Sequence, residues 1–295
     1  MTKASNEIRK MIFSAVFLSI ALVLKTFFTF SIPLFGQNGM RIGISGIFTI
    51  MPAILFGPVY GCIVSALSDV FGYLLKPAGA YMPLLTLAVG LGGFIRGLIW
   101  IALRKRKDTH LRIAVLVLVA LAALFGIWNM IALNADGVNA SFYLNGHIEN
   151  TDINQMHTIS RLLIERTVST SNPSDNLVTY ITFTTIGPIG FAVFGFVLIL
   201  ADFIIGKKLA KDGEHTGITP ILITLLISGI IVNTLDTIIL REFLFESWKL
   251  LPFSAVWLPR AIEAIVSNTI IAYFVALLYG IFVKTPGLKS LIRQD

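Results

Sequence analysis

Apolar runs of membrane length, broken by short polar stretches, recur from one end of the chain to the other. A membrane-crossing helix needs about 20 apolar residues, with a range near 17–25. Eight runs qualify as candidates: Ile8–Phe35, Ile42–Phe56, Val59–Leu75, Met82–Leu103, Leu111–Leu133, Thr179–Ile205, Ile218–Leu240 and Trp257–Val283. The second and third are short and meet at Gly57-Pro58, where proline removes a backbone donor and disfavours a helical residue before it. They read either as two spans or as one bent, buried pair. Between the fifth and sixth runs, Asn134–Val178 is polar and holds no span. Within it, Ile153–Val168 is predicted as an amphipathic helix capped by Asp152. A loop of this length is a surface insertion or a lid.

Composition sharpens this pattern. The chain has 295 residues, of which 56% are hydrophobic, and its mean hydropathy is +0.84. Soluble domains average about 45–50% apolar residues, so this is a multi-pass membrane protein. The net charge of +7 is spread over the ends of the runs, without the aromatic-interleaved basic patch that grips nucleic acid. With the N-terminus cytoplasmic, the inner segments hold 14 of the 23 Lys and Arg residues. The outer segments hold seven: Arg41, Lys76, Arg161, Arg166, Arg241, Lys249 and Arg260. By the positive-inside rule both termini are cytoplasmic and the protein resides in the cell membrane. The first run is too long for a signal-peptide core and reads as a retained helix.

Candidate chemistry lies where polar groups enter these runs, because an ionisable residue in lipid is costly and points to function. Asn233 and Asp236 are three apart and share a helical face. Arg260, Glu263 and Ser267 make a second stripe on the last run. Asp236 and Arg260 lie at similar depth: they either neutralise one another or line a pocket open to the outside. Lys25 and Asp69 are a further pair, structural or ligand-contacting. Arg96 and Asp202, nearer the inner side, read as paired or snorkelling. Tyr81, in the Pro77-Ala78-Gly79-Ala80-Tyr81-Met82-Pro83 loop, is an interfacial anchor or a flat platform for a planar ligand. Ala15 and Ser19, with Ser14 and Ala21 beside them, form a small-residue stripe for close helix approach, within the bundle or against a partner. Cys62 is the only cysteine, and the four histidines lack ligand spacing, so neither a metal nor a cofactor is expected. No P-loop, HExxH or GxSxG pattern occurs. The expectation is therefore binding and transport, not catalysis.

The stretch Arg41–Pro83 resembles the substrate-binding S component of energy-coupling factor (ECF) vitamin transporters, nearest to the folate-type branch. The resemblance rests on Arg41, Pro52, Phe56-Gly57-Pro58 with Gly61, Ser68-Asp69 with Gly72, and Pro77, Gly79, Tyr81 and Pro83. A second match is Asn233-Thr234-Leu235 with Leu258-Pro259-Arg260. The resemblance implies an all-α membrane protein: a six-helix bundle that captures a vitamin outside, with Arg41, Tyr81, Asn233, Asp236, Arg260 and Glu263 as candidate substrate contacts. It also implies partners, namely a transmembrane coupling protein docked on Ala15 and Ser19 and two ABC-type ATPases. Residues 1–110 and 206–295 would form that bundle. Residues 111–205 have no counterpart in it and read as an inserted two-helix hairpin with an outer loop at 134–178, giving about eight helices. Folate is the first candidate cargo, but a carboxylate at Glu263 would repel its anionic tail while accepting N–H donors from a pterin-like ring. The alternative is a stand-alone secondary transporter or channel-like protein. An internal repeat would favour it, and the only echo is Gly57-Pro58…Asp69 against Gly187-Pro188…Asp202, at unequal spacing.

Overall fold

The first helix, α1 (Lys3–Phe27), stops well before its apolar run does. The chain then folds into a two-stranded antiparallel hairpin, β1 (Thr29–Leu34) and β2 (Gln37–Gly43). The computed structural model describes residues 3–34, 37–77, 80–106, 108–135, 186–209, 218–249, 253–285, 288 and 291–292. Ile8–Phe35 is therefore a helix followed by a strand, and Arg41 lies in β2, cross-strand from Ser31, instead of opening the second helix. The 28-residue run was itself too long for one span. The strand register is irregular between Ile32 and Leu34, where Pro33 has no N–H to give the ladder. The loop expected at 134–178 begins inside a helix, at Asn134 and Ala135, and the rest of it, with the predicted helix at 153–168, lies outside the described residues.

The second helix, α2 (Gly46–Phe56), is apolar all round, and every residue from Ile50 to Phe56 is buried. Eleven residues rise only about 16 Å, short of the roughly 30 Å hydrocarbon core. It is a core helix, enclosed by its neighbours. Gly57 (φ 103°) makes the reversal, a conformation that costs glycine little. Pro58 then opens α3 (Pro58–Leu75), at the position where its missing donor is harmless. A second proline, Pro83, opens α4 (Pro83–Leu103) in the same way.

Glycines set how closely these helices approach. A Cβ on Gly93 of α4 would strike the Gly61 carbonyl of α3, and one on Gly97 would come within 2.5 Å of Pro58 Cα. A Cβ on Gly61 would come within 2.5 Å of Ala53 Cβ in α2. The backbones of α2, α3 and α4 are thus in contact, the packing lipid-embedded helices use when no hydrophobic force drives them together.

The next apolar helix of this body, α7 (Ile218–Ile239), continues into a π-turn at Leu240–Leu244 and then the short α8 (Glu246–Lys249). It packs on α4, with Gly92 beneath Val232. The last helix, α9 (Phe253–Lys284), meets α7 at Gly229 and Asn268, α2 at Gly46 and Ile271, and α1 through Phe13 and Phe17 against Phe282. Its large outward side chains and those of α1 (Ile8, Ile12, Val16, Val23) are exposed, as lipid-facing residues should be.

The chain divides into two compact units. One comprises Met1–Asp108, Ala210–Lys249 and Val256–Asp295; the other comprises Thr109–Leu209 and Leu250–Ala255. The second holds α5 (Asp108–Ala135) and α6 (Gly187–Leu209), packed with Gly195 beneath Val119. Six helices among the described residues are long and apolar enough to cross a membrane, and α2 and Gly187–Leu200 are shorter apolar helices. Each of the eight expected runs contains a helix among the described residues, but the first ends in β1, the second begins in β2, and not all are full spans. This is an all-α multi-pass membrane protein with one small β-hairpin.

Candidate functional site

Polar groups inside the first unit gather at the end that carries the β-hairpin. The first cluster centres on Asp69 in α3. Lys25 of α1 lies 3.6 Å from its Oδ1 and donates to the Ser68 carbonyl at 3.1 Å. The lysine stem lies against Gly72, where a Cβ would come within 2.7 Å of its Cε and Nζ. On the other carboxylate oxygen, Thr86 of α4 donates at 2.8 Å. A threonine hydroxyl has a single proton. The 2.9 Å contact between Thr86 and the Tyr81 hydroxyl is therefore one in which Tyr81 donates. Tyr81 is 41% exposed, and its ring lies 5.1 Å from that of Tyr73. The loop is thus tied through Thr86 to Asp69 and Lys25. Replacing Thr86 by valine leaves Tyr81 without its acceptor and Asp69 with one donor fewer. The expected loss is about 1 kcal/mol of stability, read as a lower melting temperature of the purified protein.

The second cluster joins α7 and α9. Thr237 gives its proton to the Asn233 carbonyl at 2.6 Å, so its lone pairs are left to accept from Arg260 Nε at 2.9 Å. Thr234 bonds the Ile230 carbonyl in the same way and accepts from Trp257 Nε1 at 2.9 Å. Arg260 is only 8% exposed and lies within charge–charge range of both Asp236 and Glu263. Asp236 is also within range of Asp69, which brings the two clusters together. Two groups at this junction have no hydrogen-bond partner among the described residues: the buried Oδ1 of Asp236 and Nδ2 of Asn233. Buried polar atoms are nearly always bonded, so an orphaned acceptor and an orphaned donor side by side require an account.

Of the residues expected from the sequence, Tyr81, Asn233, Asp236, Arg260 and Glu263 belong to this polar seam. Arg41 has its backbone in the adjacent hairpin. Lys25 and Asp69 do approach each other. Arg96 donates to Ser228 of α7 at 3.3 Å, in the apolar middle of the bundle and away from the seam. Ala15 and Ser19 lie on the exposed face of α1, while Ser14 and Ala21 are buried, so the stripe of small residues is split between two faces. Sequence reasoning passed over Thr86, Thr234, Thr237, Trp257 and Tyr73. Threonines within apolar helices are common, and only the acceptor geometry above separates these from the rest.

Residues 5–144 match the profile of a family described as "ECF-type riboflavin transporter, S component". The match extends the S-component resemblance back through α1 and forward through α5. The chain is also 34% identical over 92 residues to the folate transporter FolT of Clostridium novyi (strain NT). That alignment takes in 31% of this chain and 51% of the relative, so the chain spans about half the length of the curated relative it matches. No solved structure matches.

Proposed function

We propose that this chain is the substrate-capture S component of an ECF-type importer, taking a vitamin-like heterocycle from outside the cell, with folate as the first candidate. The observation that carries this reading is the seam itself. Five residues expected as substrate contacts lie in one polar seam at one end of an apolar bundle, in a chain similar to S components. The matched family and the relative differ in the vitamin they are named for, so folate and riboflavin are the two cargoes to compare. The orphaned polar atoms of Asn233 and Asp236 support a polar ligand at this end.

In this proposal the seam faces outward and both termini are cytoplasmic, in keeping with the charge bias between the loops. Energy comes from partners, a transmembrane coupling protein and two ABC-type ATPases, and the chain itself is not an enzyme. Residues 111–205 form an insertion into the capture bundle. The compact-unit division supports this. So does helix parity, since an even number of added spans leaves the topology unchanged. The family match takes in α5, which speaks against counting that helix as inserted.

Mass spectrometry of the small molecule that co-purifies with the protein tests the capture reading. A vitamin-class heterocycle is the expected result. A preparation that carries none, binds neither folic acid nor riboflavin and does not associate with a coupling module overturns it. The docking face has its own test. Ala15 is exposed on α1, so Ala15→Trp is expected to leave melting temperature and ligand binding unchanged while reducing uptake by the assembled complex at least about tenfold. Unchanged uptake would move the docking face elsewhere on the bundle.

A further inference from the structure

Resting on the capture reading above, we infer that the seam selects its cargo by a hydrogen-bond-donor edge: a planar ring bearing an exocyclic amino group next to a ring N–H, as in a 2-amino-4-oxopyrimidine fused to a second ring. A ring with an imide edge, in which one N–H is flanked by two carbonyls, is disfavoured.

The argument starts from what is left unbonded. Asn233 Nδ2 and Asp236 Oδ1 are both buried and both without a partner among the described residues. They stand three residues apart on one face of α7, the spacing at which side chains are neighbours. One offers a proton and the other accepts one. A ligand edge that presents a carbonyl to the asparagine and N–H groups to the aspartate satisfies both at once. Leaving them unpaired costs each its desolvation.

Those two atoms alone do not separate the two kinds of ring, because an imide also has an N–H beside a carbonyl. The surrounding charges decide. Lys25 answers Asp69. Among the described residues, Arg260 is the cation that stands between two carboxylates, Asp236 and Glu263, and its Nε is already committed to Thr237. Among the described side chains the seam thus holds three carboxylates, Asp69, Asp236 and Glu263, against two cations, Lys25 and Arg260. A carboxylate accepts two parallel N–H bonds well. The same carboxylate facing the second carbonyl of an imide sets oxygen against oxygen. The excess negative charge also directs an anionic tail on the cargo away from Glu263, toward the loop side where Tyr81 and Lys76 lie.

Pterin and lumazine test this directly, because they share one bicyclic ring and differ only in a 2-amino against a 2-oxo group. Titration calorimetry of the purified full-length protein is expected to show pterin bound at least about tenfold more tightly than lumazine, since a site built for a donor rejects the analogue that lacks it. Folic acid should bind more tightly than riboflavin. Asp236→Asn, which keeps shape but replaces an acceptor oxygen by a donor, is expected to bring the pterin and lumazine affinities within about threefold of one another. Glu263→Gln should narrow the gap in the same direction, and it remains informative if the Asp236 variant fails to fold. Lumazine or riboflavin bound as tightly as its counterpart would overturn the inference and leave the capture reading standing. No binding of any of the four, with no coupling partner, would remove both.

Discussion

Gly93→Val is expected to prevent the bundle from closing. The glycine faces the Gly61 carbonyl so closely that even a Cβ would strike it, and Ser65 Oγ lies within 2.5 Å of the same position. A backbone carbonyl cannot rotate aside as a side chain can. α4 would have to move away from α3, and α2 from both, because Gly61 and Gly97 hold the same three helices by the same kind of contact. Overpacking in a close-packed interior costs about 1–3 kcal/mol and more where backbone must move. Here three backbones are involved, and the expected loss is at least about 3 kcal/mol. It should appear as loss of the monodisperse peak on size exclusion in detergent and failure to bind any ligand. Gly280→Ala is the matched control. Among the described residues nothing lies within 4 Å of a Cβ there, and alanine favours a helix over glycine by about 1 kcal/mol, so its melting temperature should hold or rise. A folded Gly93→Val protein with unchanged melting behaviour would show that α3 and α4 do not approach as described.

Arg260→Ala has the second-largest expected effect, through charge and not through volume. Arg260 is buried, donates to Thr237 and lies within charge–charge range of both Asp236 and Glu263. Removing one member of a buried charged group leaves the others uncompensated, at a cost of about 3–5 kcal/mol. Folic acid binding should fall by at least about a hundredfold and the melting temperature should drop. A second substitution separates the causes. If uncompensated charge is responsible, adding Glu263→Gln to Arg260→Ala should recover much of the melting temperature. If the arginine mainly fills space, the double variant should be no better than the single one.

How far the sequence reaches is clearest at its two ends. The membrane class, the helical runs and the Gly57-Pro58 reversal were all legible, because apolar length and glycine–proline chemistry are local properties. The β-hairpin was not. Its strands are apolar enough to pass as a continuation of α1, and hydropathy does not distinguish a strand from the last turns of a helix. The excess length of that run was the available signal. Arg41 was accordingly assigned to a helix when it belongs to a strand.

The seam divides in the same way. Intramembrane cost marks Asp69, Asp236, Arg260 and Glu263 from sequence alone, since a charge in an apolar run must answer to something. Which charge answers which was a matter of packing. Lys25 and Asp69 are 44 positions apart and meet because Gly72 leaves room for a lysine stem. Thr237 and Thr234 became acceptors only because α9 delivers Arg260 and Trp257 to them. The sequence by itself determined that this protein lives in the membrane, where most of its helices lie and where charge enters them. The tertiary structure decided which polar atoms find partners and which two, on Asn233 and Asp236, do not. Hydropathy and charge belong to single residues, whereas hydrogen-bond satisfaction belongs to pairs that only the folded chain brings together.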